Sequence, residues 1–339
     1  MAKLKAAIIG CGGRGREHAQ GYAAYEDIEI VAVADPNPAA LASLAAKYSV
    51  KGAYATHQEM FASHRPDIVS ICTWTGLHPE HVRHSAIAGV RAIHCEKPMA
   101  PTWGESKAMA AQCEEAGIQL TLCHQRRFGA HFIKARELAQ EGAIGTIERM
   151  EGYCSNLFDW GTHWFDMFFF YNDETPAETV MGQIDTVKWS RVFGVPVESS
   201  GVTSVRFANG VHALLLTGSD HGGRCSNRIV GSRGVIEVEL SKGPSLRMLR
   251  EGSAEWEVPV LEGIVPKVGD TVLSVLDAIE CMQTGARPTL SSHNALRATE
   301  LIFATYESSR RRARVTLPLD IDDSPLLAML GGAGTVTFA

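Results

Sequence analysis

The segment Leu4–Ile9 is a short, mostly apolar run that ends directly on Gly10-Cys11-Gly12-Gly13-Arg14-Gly15. A G-x-G-x-x-G turn between a strand and a helix narrows the fold more than any other feature of the chain, because that order opens a doubly wound α/β domain. Its glycines permit the tight turn, the approach of backbone to a pyrophosphate and the close packing of helix on strand. The helix that follows offers unpaired N–H groups to phosphate oxygens. Roughly twenty residues further on, Asp35 closes a second strand-like run, Ile28–Ala34, where a carboxylate accepts hydrogen bonds from the adenosine ribose. That carboxylate would repel a 2′-phosphate, and Pro36-Asn37 brings no arginine to compensate. The pattern predicts NAD rather than NADP as cofactor, held by Gly10, Gly12, Gly13, Arg14, Gly15 and Asp35.

The first third continues in the same alternation. Asn37-Pro38 forms a cap and first-turn pair, and Thr56-His57-Gln58-Glu59 and Thr102-Trp103-Gly104-Glu105 have capping-box spacing. Asp67–Cys72, Arg91–Cys95 and Ile118–Cys123 read as buried strands, with a helix over His78–Ala88 that Gly89 closes. Strands apolar on both faces and separated by helices imply a parallel sheet covered on both sides. From about His124 the grammar changes. A helix (Ala130–Glu141), a strand (Thr146–Cys154), the polar-aromatic loop Ser155–Gly161 and an apolar helix (Thr162–Tyr171) lead into hairpin patterns around Ala208-Asn209-Gly210 and Gly231-Ser232-Arg233-Gly234. Helices over Thr271–Thr284 and His293–Arg312 and a strand at Ala313–Leu317 follow, and the glycine-rich end Gly331–Gly334 reads as mobile. The expected architecture is α/β: an N-terminal Rossmann doubly wound parallel sheet (1–123) plus a C-terminal α+β domain (124–339) with a mostly antiparallel open sheet for substrate and oligomerisation.

Composition excludes several classes. At roughly 100–200 residues per domain, 339 residues predict two domains. A net charge of -6 opposes nucleic-acid binding through broad positive charge. No apolar run approaches the roughly 18 residues of a membrane span, and the N-terminus lacks a signal-peptide layout. The 8 scattered cysteines contain no C-x-x-C pair, which suits free thiols and a cytoplasmic location.

A second constellation follows the fourth predicted strand. His94-Cys95-Glu96-Lys97-Pro98 stands at the sheet edge where ligands of open α/β sheets bind. With this motif, the glycine loop, Cys72-Thr73-Trp74-Thr75-Gly76-Leu77-His78, Arg126-Arg127-Phe128 and Asp159-Trp160-Gly161-Thr162-His163, the chain resembles the Gfo/Idh/MocA oxidoreductases over nearly its whole length. The resemblance implies a catalytic lysine at Lys97, an active-site aspartate at Asp159 and an acid–base histidine at His163. It also implies that Glu96 and Pro98 shape the loop beside the nicotinamide ribose, with a Lys97–Pro98 bond open to the cis form. Thr73, Trp74 and His78 belong to the expected cofactor edge. The chain departs from the family in having Trp74 where proline is common, and Asn156-Leu157-Phe158 where a glycine pair is common.

Thr162 as a helix cap would put His163 in the first turn, with Asp159 just before it. The helix dipole there favours a neutral imidazole, and Asp159 pushes toward the cation. Lys97 beside an alcohol would stabilise developing oxyanion charge. Phe158 and Trp160 are expected to wall a sugar site. Arg126 and Arg127 either pair with carboxylates or reach the substrate. His78, His81 and His84 form H-x-x-H-x-x-H, but on one helix the outer two diverge by about 240°, so no metal site is expected there. The predicted activity is NAD-dependent oxidation of a secondary alcohol in a sugar, cyclitol or sugar derivative by a homo-oligomer (dimer or tetramer). Alternatives are oxidoreductive glycoside cleavage on the same residues and a non-catalytic NAD-binding regulator.

Overall fold

The computed structural model describes residues 3–218, 225–261, 268–331 and 335–337. The described residues divide into two compact units, one of 3–125 with 268–296 and one of 126–261 with 297–337.

The first unit opens with β1 (Leu4–Ile9), α1 (Gly13–Ala23), β2 (Ile28–Ala34), α2 (Pro38–Tyr48), β3 (Gly52–Tyr54) and α3 (His57–Ser63). It continues with β4 (Ile68–Ile71), α4 (His78–Ile87), β5 (Ala92–Cys95), α5 (Trp103–Glu115) and β6 (Gln119–Leu122). The strands lie in the order β3-β2-β1-β4-β5-β6, all parallel. The helix starts follow the sequence chemistry. Asn37 accepts from the amides of Ala39 and Ala40, and the Thr56/Glu59 and Thr102/Glu105 capping boxes are both formed. Alternate residues of β1 feed two cores, Ala6 and Ile8 one and Ala7 and Ile9 the other. The strand runs are therefore apolar throughout rather than alternating. The three-residue β3 is too short to show a period, and sequence reading passes over it.

The second unit holds α6 (Ala130–Gln140), β7 (Ile147–Cys154), α7 (Thr162–Tyr171), β8 (Ala177–Asp185), β9 (Ser190–Val192), β10 (Val195–Val197), β11 (Ser200–Phe207) and β12 (His212–Gly218). Then come β13 (Cys225–Gly231), β14 (Gly234–Leu240) and β15 (Leu246–Arg250); after them α8 (Asp270–Thr284), which belongs to the first unit, and then α9 (Ser292–Arg311), β16 (Val315–Thr316) and α10 (Pro325–Leu330). Eight strands form an open sheet in the order β15-β14-β13-β7-β12-β11-β8-β16, antiparallel except for the β7–β12 pair. All ten residues of α7 are buried. A Cβ on Gly152 of β7 would stand 3.0 Å from Phe168 and 3.3 Å from Trp164, so the bare glycine is what lets α7 lie against the sheet.

The boundary expected near residue 124 describes only the first pass of the chain. Residues 268–296 pack with the first unit because α8 buries Val275, Ala278, Ile279 and Met282 in the same core as Ala19 and Tyr22 of α1. Ser274 also meets the buried His94 Nε2 at 3.1 Å, and Gln119 donates to the Ala278 carbonyl. Of the glycine-rich end, residues 332–334 lie outside the described residues.

Candidate active site

The coenzyme loop is built from glycines with two distinct duties. Gly10 adopts φ +94°, and a Cβ on it would meet the Cys72 carbonyl at 2.5 Å. A Cβ on Gly15 would fall 1.9 Å from the Gly10 carbonyl. These two positions make the turn and the close packing. Gly12 and Gly13 have nothing within 4 Å of a hypothetical Cβ, and α1 starts at Gly13 without a capping side chain. The backbone is bare at these positions and no side chain caps the first turn, which fits a pyrophosphate.

Asp35 closes this loop. One carboxylate oxygen accepts from the Cys11 amide at 2.6 Å and the other from the Asn37 amide at 2.7 Å. A carboxylate has about four lone-pair positions, so acceptor capacity remains for ribose hydroxyls. A groove of about 900 Å³ runs from here, lined by Gly10, Gly12, Asp35, His57, Thr73 and Trp74 among others. The expectations for Gly10, Gly12, Asp35, Thr73 and Trp74 thus converge on one cavity. Sequence reading missed Ala55–Gln58, which also line it. They arrive there because β3 pairs Tyr54 with Ala34, and the capping box at Thr56 was the available signal.

Two expected cofactor residues act through the protein instead. The Arg14 guanidinium donates to Glu96 at 2.7 Å and to Thr271 at 3.3 Å, and it pairs with Glu17. The guanidinium is thus committed to protein partners, which leaves the backbone N–H as the group available to a phosphate. Glu96 is buried and also faces His18 Nε2 at 3.0 Å. Burial works against its charge, yet the His18 hydrogen bond and the Arg14 charge outweigh burial and hold its pKa well below the usual carboxylate range. A depressed folded-state pKa stabilises the fold above the unfolded value of about 4.3. That stability drains away as pH falls through and below it. Urea unfolding followed from pH 6 to pH 3 should show the loss, on the order of 2 kcal/mol, and Glu96→Gln should flatten that segment of the profile.

His78 is fully buried, with its ring between the carbonyls of Thr73 (3.1 Å) and Pro98 (2.9 Å). It thereby holds the Thr73–Trp74 edge against the Glu96–Pro98 loop rather than facing a coenzyme. Burial lowers its pKa despite those carbonyls. The Lys97–Pro98 bond is cis. Lys97 stands at the carboxyl end of β5, on the sheet edge that also bears the glycine loop.

In the second unit the segment around Asp159 departs from expectation. Thr162 has helical dihedrals and is not the cap. Asn156 is the cap, accepting the Asp159 amide at 2.7 Å, and the Leu157 amide donates to Glu198 at 2.6 Å. Leu157–Gly161 forms one wide π-type turn that runs on into α7, with Gly161 N bonded to Asn156 O. Asp159 therefore lies inside the first turn and His163 in the second. The dipole at His163 is accordingly weaker than a first-turn position would give. Asp159 and His163 are buried, while Trp160 is 41% exposed with its ring 6.4 Å from that of His163. Phe158 is 2% exposed, so it packs into the interior and offers no face to a sugar.

Arg127 is also not a substrate group. It is buried and grips both oxygens of Asp166 at 2.8 Å, and it meets Glu174 at 2.5 Å. Arg126 pairs with Glu239 and lies 5.8 Å from the Trp160 ring and 5.3 Å from that of Trp164. Both carboxylate oxygens of Asp166 are committed to Arg127.

Comparisons with known proteins agree with this geometry. Residues 4–124 match the model described as an oxidoreductase family with an NAD-binding Rossmann fold, and residues 155–237 match the Gfo/Idh/MocA C-terminal domain. Together these cover more than half of the chain. A D-apiose dehydrogenase of Paraburkholderia graminis is 26% identical over 94% of this chain and 90% of its own. An inositol 2-dehydrogenase of Rhizobium meliloti is 24% identical over 91% and 98%. A levoglucosan dehydrogenase solved with NADH and L-sorbose shares the fold at a TM-score of 0.80, with 22% identity over 94% of this chain and all of its own. Glycine loop, ribose carboxylate, Lys97 loop and family models point the same way, and the chain belongs to the Gfo/Idh/MocA family of NAD-binding oxidoreductases.

Proposed function

We propose that the protein oxidises a secondary alcohol of a sugar, cyclitol or sugar derivative, with Lys97 and His163 in acid/base roles. One observation carries this reading. The Arg14–Glu96 hydrogen bond ties the glycine-loop helix to the residue before Lys97, so the phosphate loop and the lysine loop form a single braced edge. NAD, when bound, accepts the hydride released from the alcohol carbon. The Lys97 ammonium stabilises negative charge growing on the substrate oxygen, His163 takes the hydroxyl proton, and Asp159 orients the imidazole. Trp160, half-exposed beside His163, supplies a ring face for a sugar. That relatives are named for apiose and inositol supports a polyhydroxy substrate.

Purified protein mixed with NAD and a panel of aldoses, cyclitols and glycosides should generate NADH absorbance with at least one of them. Failure to take up the coenzyme in calorimetry would overturn the reading. Release of an aglycone with no net NADH would reassign it to oxidoreductive glycoside cleavage.

Two further proposals accompany it. Among the described residues no helix is long and apolar enough to cross a membrane. The eight free cysteines support a reducing, cytoplasmic setting. A homo-oligomer is supported by the outward face of the large sheet. There Met181 (64% exposed) and Val202 (46%) lie beside Leu214 and Leu216, in the register Met181↔Ser204↔Leu214 and Gln183↔Val202↔Leu216.

A further inference from the structure

The H-x-x-H-x-x-H of α4 disperses as its helical spacing predicts. His78 turns inward between carbonyls, and His81 Nδ1 meets the Thr73 hydroxyl at 3.0 Å. His84 goes elsewhere. Its Nδ1 lies 2.6 Å from Nε2 of His57, the first residue of α3, and 3.6 Å from Glu80 Oε1 one turn earlier on its own helix. Glu80 Oε1 is in turn 3.8 Å from His57 Nε2. Two imidazole nitrogens and a carboxylate oxygen from two helices thus face one point. His57 is buried and His84 half-buried, while the Glu80 side chain is 46% exposed, so solvent reaches the point from one side.

We propose that His57, Glu80 and His84 form a site for a divalent transition metal of the Zn²⁺ class, which would staple α3 to α4. Imidazole and carboxylate suit this class, and three protein ligands leave one position for water. Bonds of about 2.0–2.1 Å in tetrahedral geometry place ligand atoms about 3.4 Å apart. The two contacts to Glu80 already stand near that value. The two nitrogens are closer, because without a metal they share a hydrogen bond, and they must open by about 0.8 Å to reach the tetrahedral spacing.

The proton inventory is consistent. Arg83 reaches His84 Nε2 at 3.0 Å, which makes that nitrogen the acceptor and leaves the proton on Nδ1, donated to His57. This tautomer is assigned from the donors. Metal entry needs the Nδ1 lone pair, so the proton must first move from Nδ1 to Nε2 of the same ring, and the exposed Arg83 swings into water. His57 needs no such change, since its Nε2 is already the acceptor, and its burial disfavours the cation that would compete with a metal. The staple lies beside the coenzyme groove, because His57 and His81 both line that cavity.

The test uses the full chain, stripped with chelator under reducing conditions and titrated with ZnCl₂ by calorimetry and with CoCl₂ by visible absorbance. One equivalent should bind, the cobalt form should show d–d bands of low-symmetry nitrogen and oxygen coordination, and Zn²⁺ should raise the unfolding temperature. Glu80→Gln and His84→Ala should each weaken binding at least about tenfold, while their metal-free unfolding temperatures confirm folding. A second cluster, His18, His94 and Cys123, is buried in the same unit. If Zn²⁺ binding survives both variants, or disappears only in Cys123→Ser, the proposal fails. Absence of stoichiometric binding in the wild type overturns it as well.

Discussion

Replacement of Lys97 by alanine is expected to lower kcat for alcohol oxidation by about 10²–10⁴-fold, the range typical for removing a positioned acid–base group, while the affinity for NAD changes little. The split follows from where the groups stand. In the proposed reading the coenzyme is held by the Gly12–Gly13 amides and Asp35, which depend on the turn at Gly10, the packing at Gly15 and the Cys11 contact, none of which involves Lys97. The loop itself is held from both sides of the lysine, by Glu96 on Arg14 and His18 and by the Pro98 carbonyl on His78. Loss of the ammonium should therefore leave the backbone in place. Lys97→Arg keeps charge but spreads it over a planar fork and should restore only part of the rate. Steady-state kinetics with calorimetric NAD binding checks both halves. Turnover within a few-fold of wild type in Lys97→Ala would remove the lysine from the proposed chemistry.

Arg127→Ala is expected to destabilise the second unit by about 3–5 kcal/mol, the cost of stranding a buried charge. Asp166 and Arg127 are almost wholly inaccessible, at 1% and 3% side-chain exposure. Without the guanidinium, both oxygens of Asp166 would be left without their arginine on a wholly buried helix that also carries Phe168, Phe169 and Phe170. Glu174 would lose one of its two arginines and keep Arg297. Asp166→Asn should cost less, because a neutral amide still accepts one hydrogen bond and leaves the cation partly paired with Glu174. Replacing both partners by apolar residues of similar volume, Arg127→Met with Asp166→Leu, should recover much of the loss. Urea denaturation of the wild type, Arg127→Met, Asp166→Leu and the double variant forms a double-mutant cycle. A cost under about 1 kcal/mol for Arg127→Ala would show that the pair is replaceable by water.

What could be read in advance was local. The glycine loop and the three helix starts at Asn37, Thr56 and Thr102 depend on residues within a few positions of one another, and Asp35 follows the loop at a fixed offset of about twenty residues, so their chemistry is written in order. What could not be read depends on partners far along the chain. Arg127 finds Asp166 and Glu174 across 39 and 47 residues, and nothing near Arg127 distinguishes it from a surface base. The start of α7 was misplaced for a different reason. The turn at Leu157–Gly161 holds an extra residue, which breaks the 3.6-residue period and made Thr162 look like the cap instead of Asn156. For the same reason Phe158 reads as a loop aromatic in the sequence, although it lies inside this turn. The histidine spacing on α4 describes that helix alone, whereas His57, which meets His84, comes from another helix.

The return of α8 to the first core has a consequence for biogenesis. A Cβ on Gly21 of α1 would stand 2.5 Å from Val275, so these two helices touch at backbone range although some 250 residues separate them. A ribosome releases the coenzyme-binding strands early, yet the apolar flank of α1 stays bare until residue 284 has emerged. The nascent chain must therefore shield that flank while more than half its length is still being made, and the nucleotide-binding lobe closes only after nearly all the other lobe's strands have been synthesised.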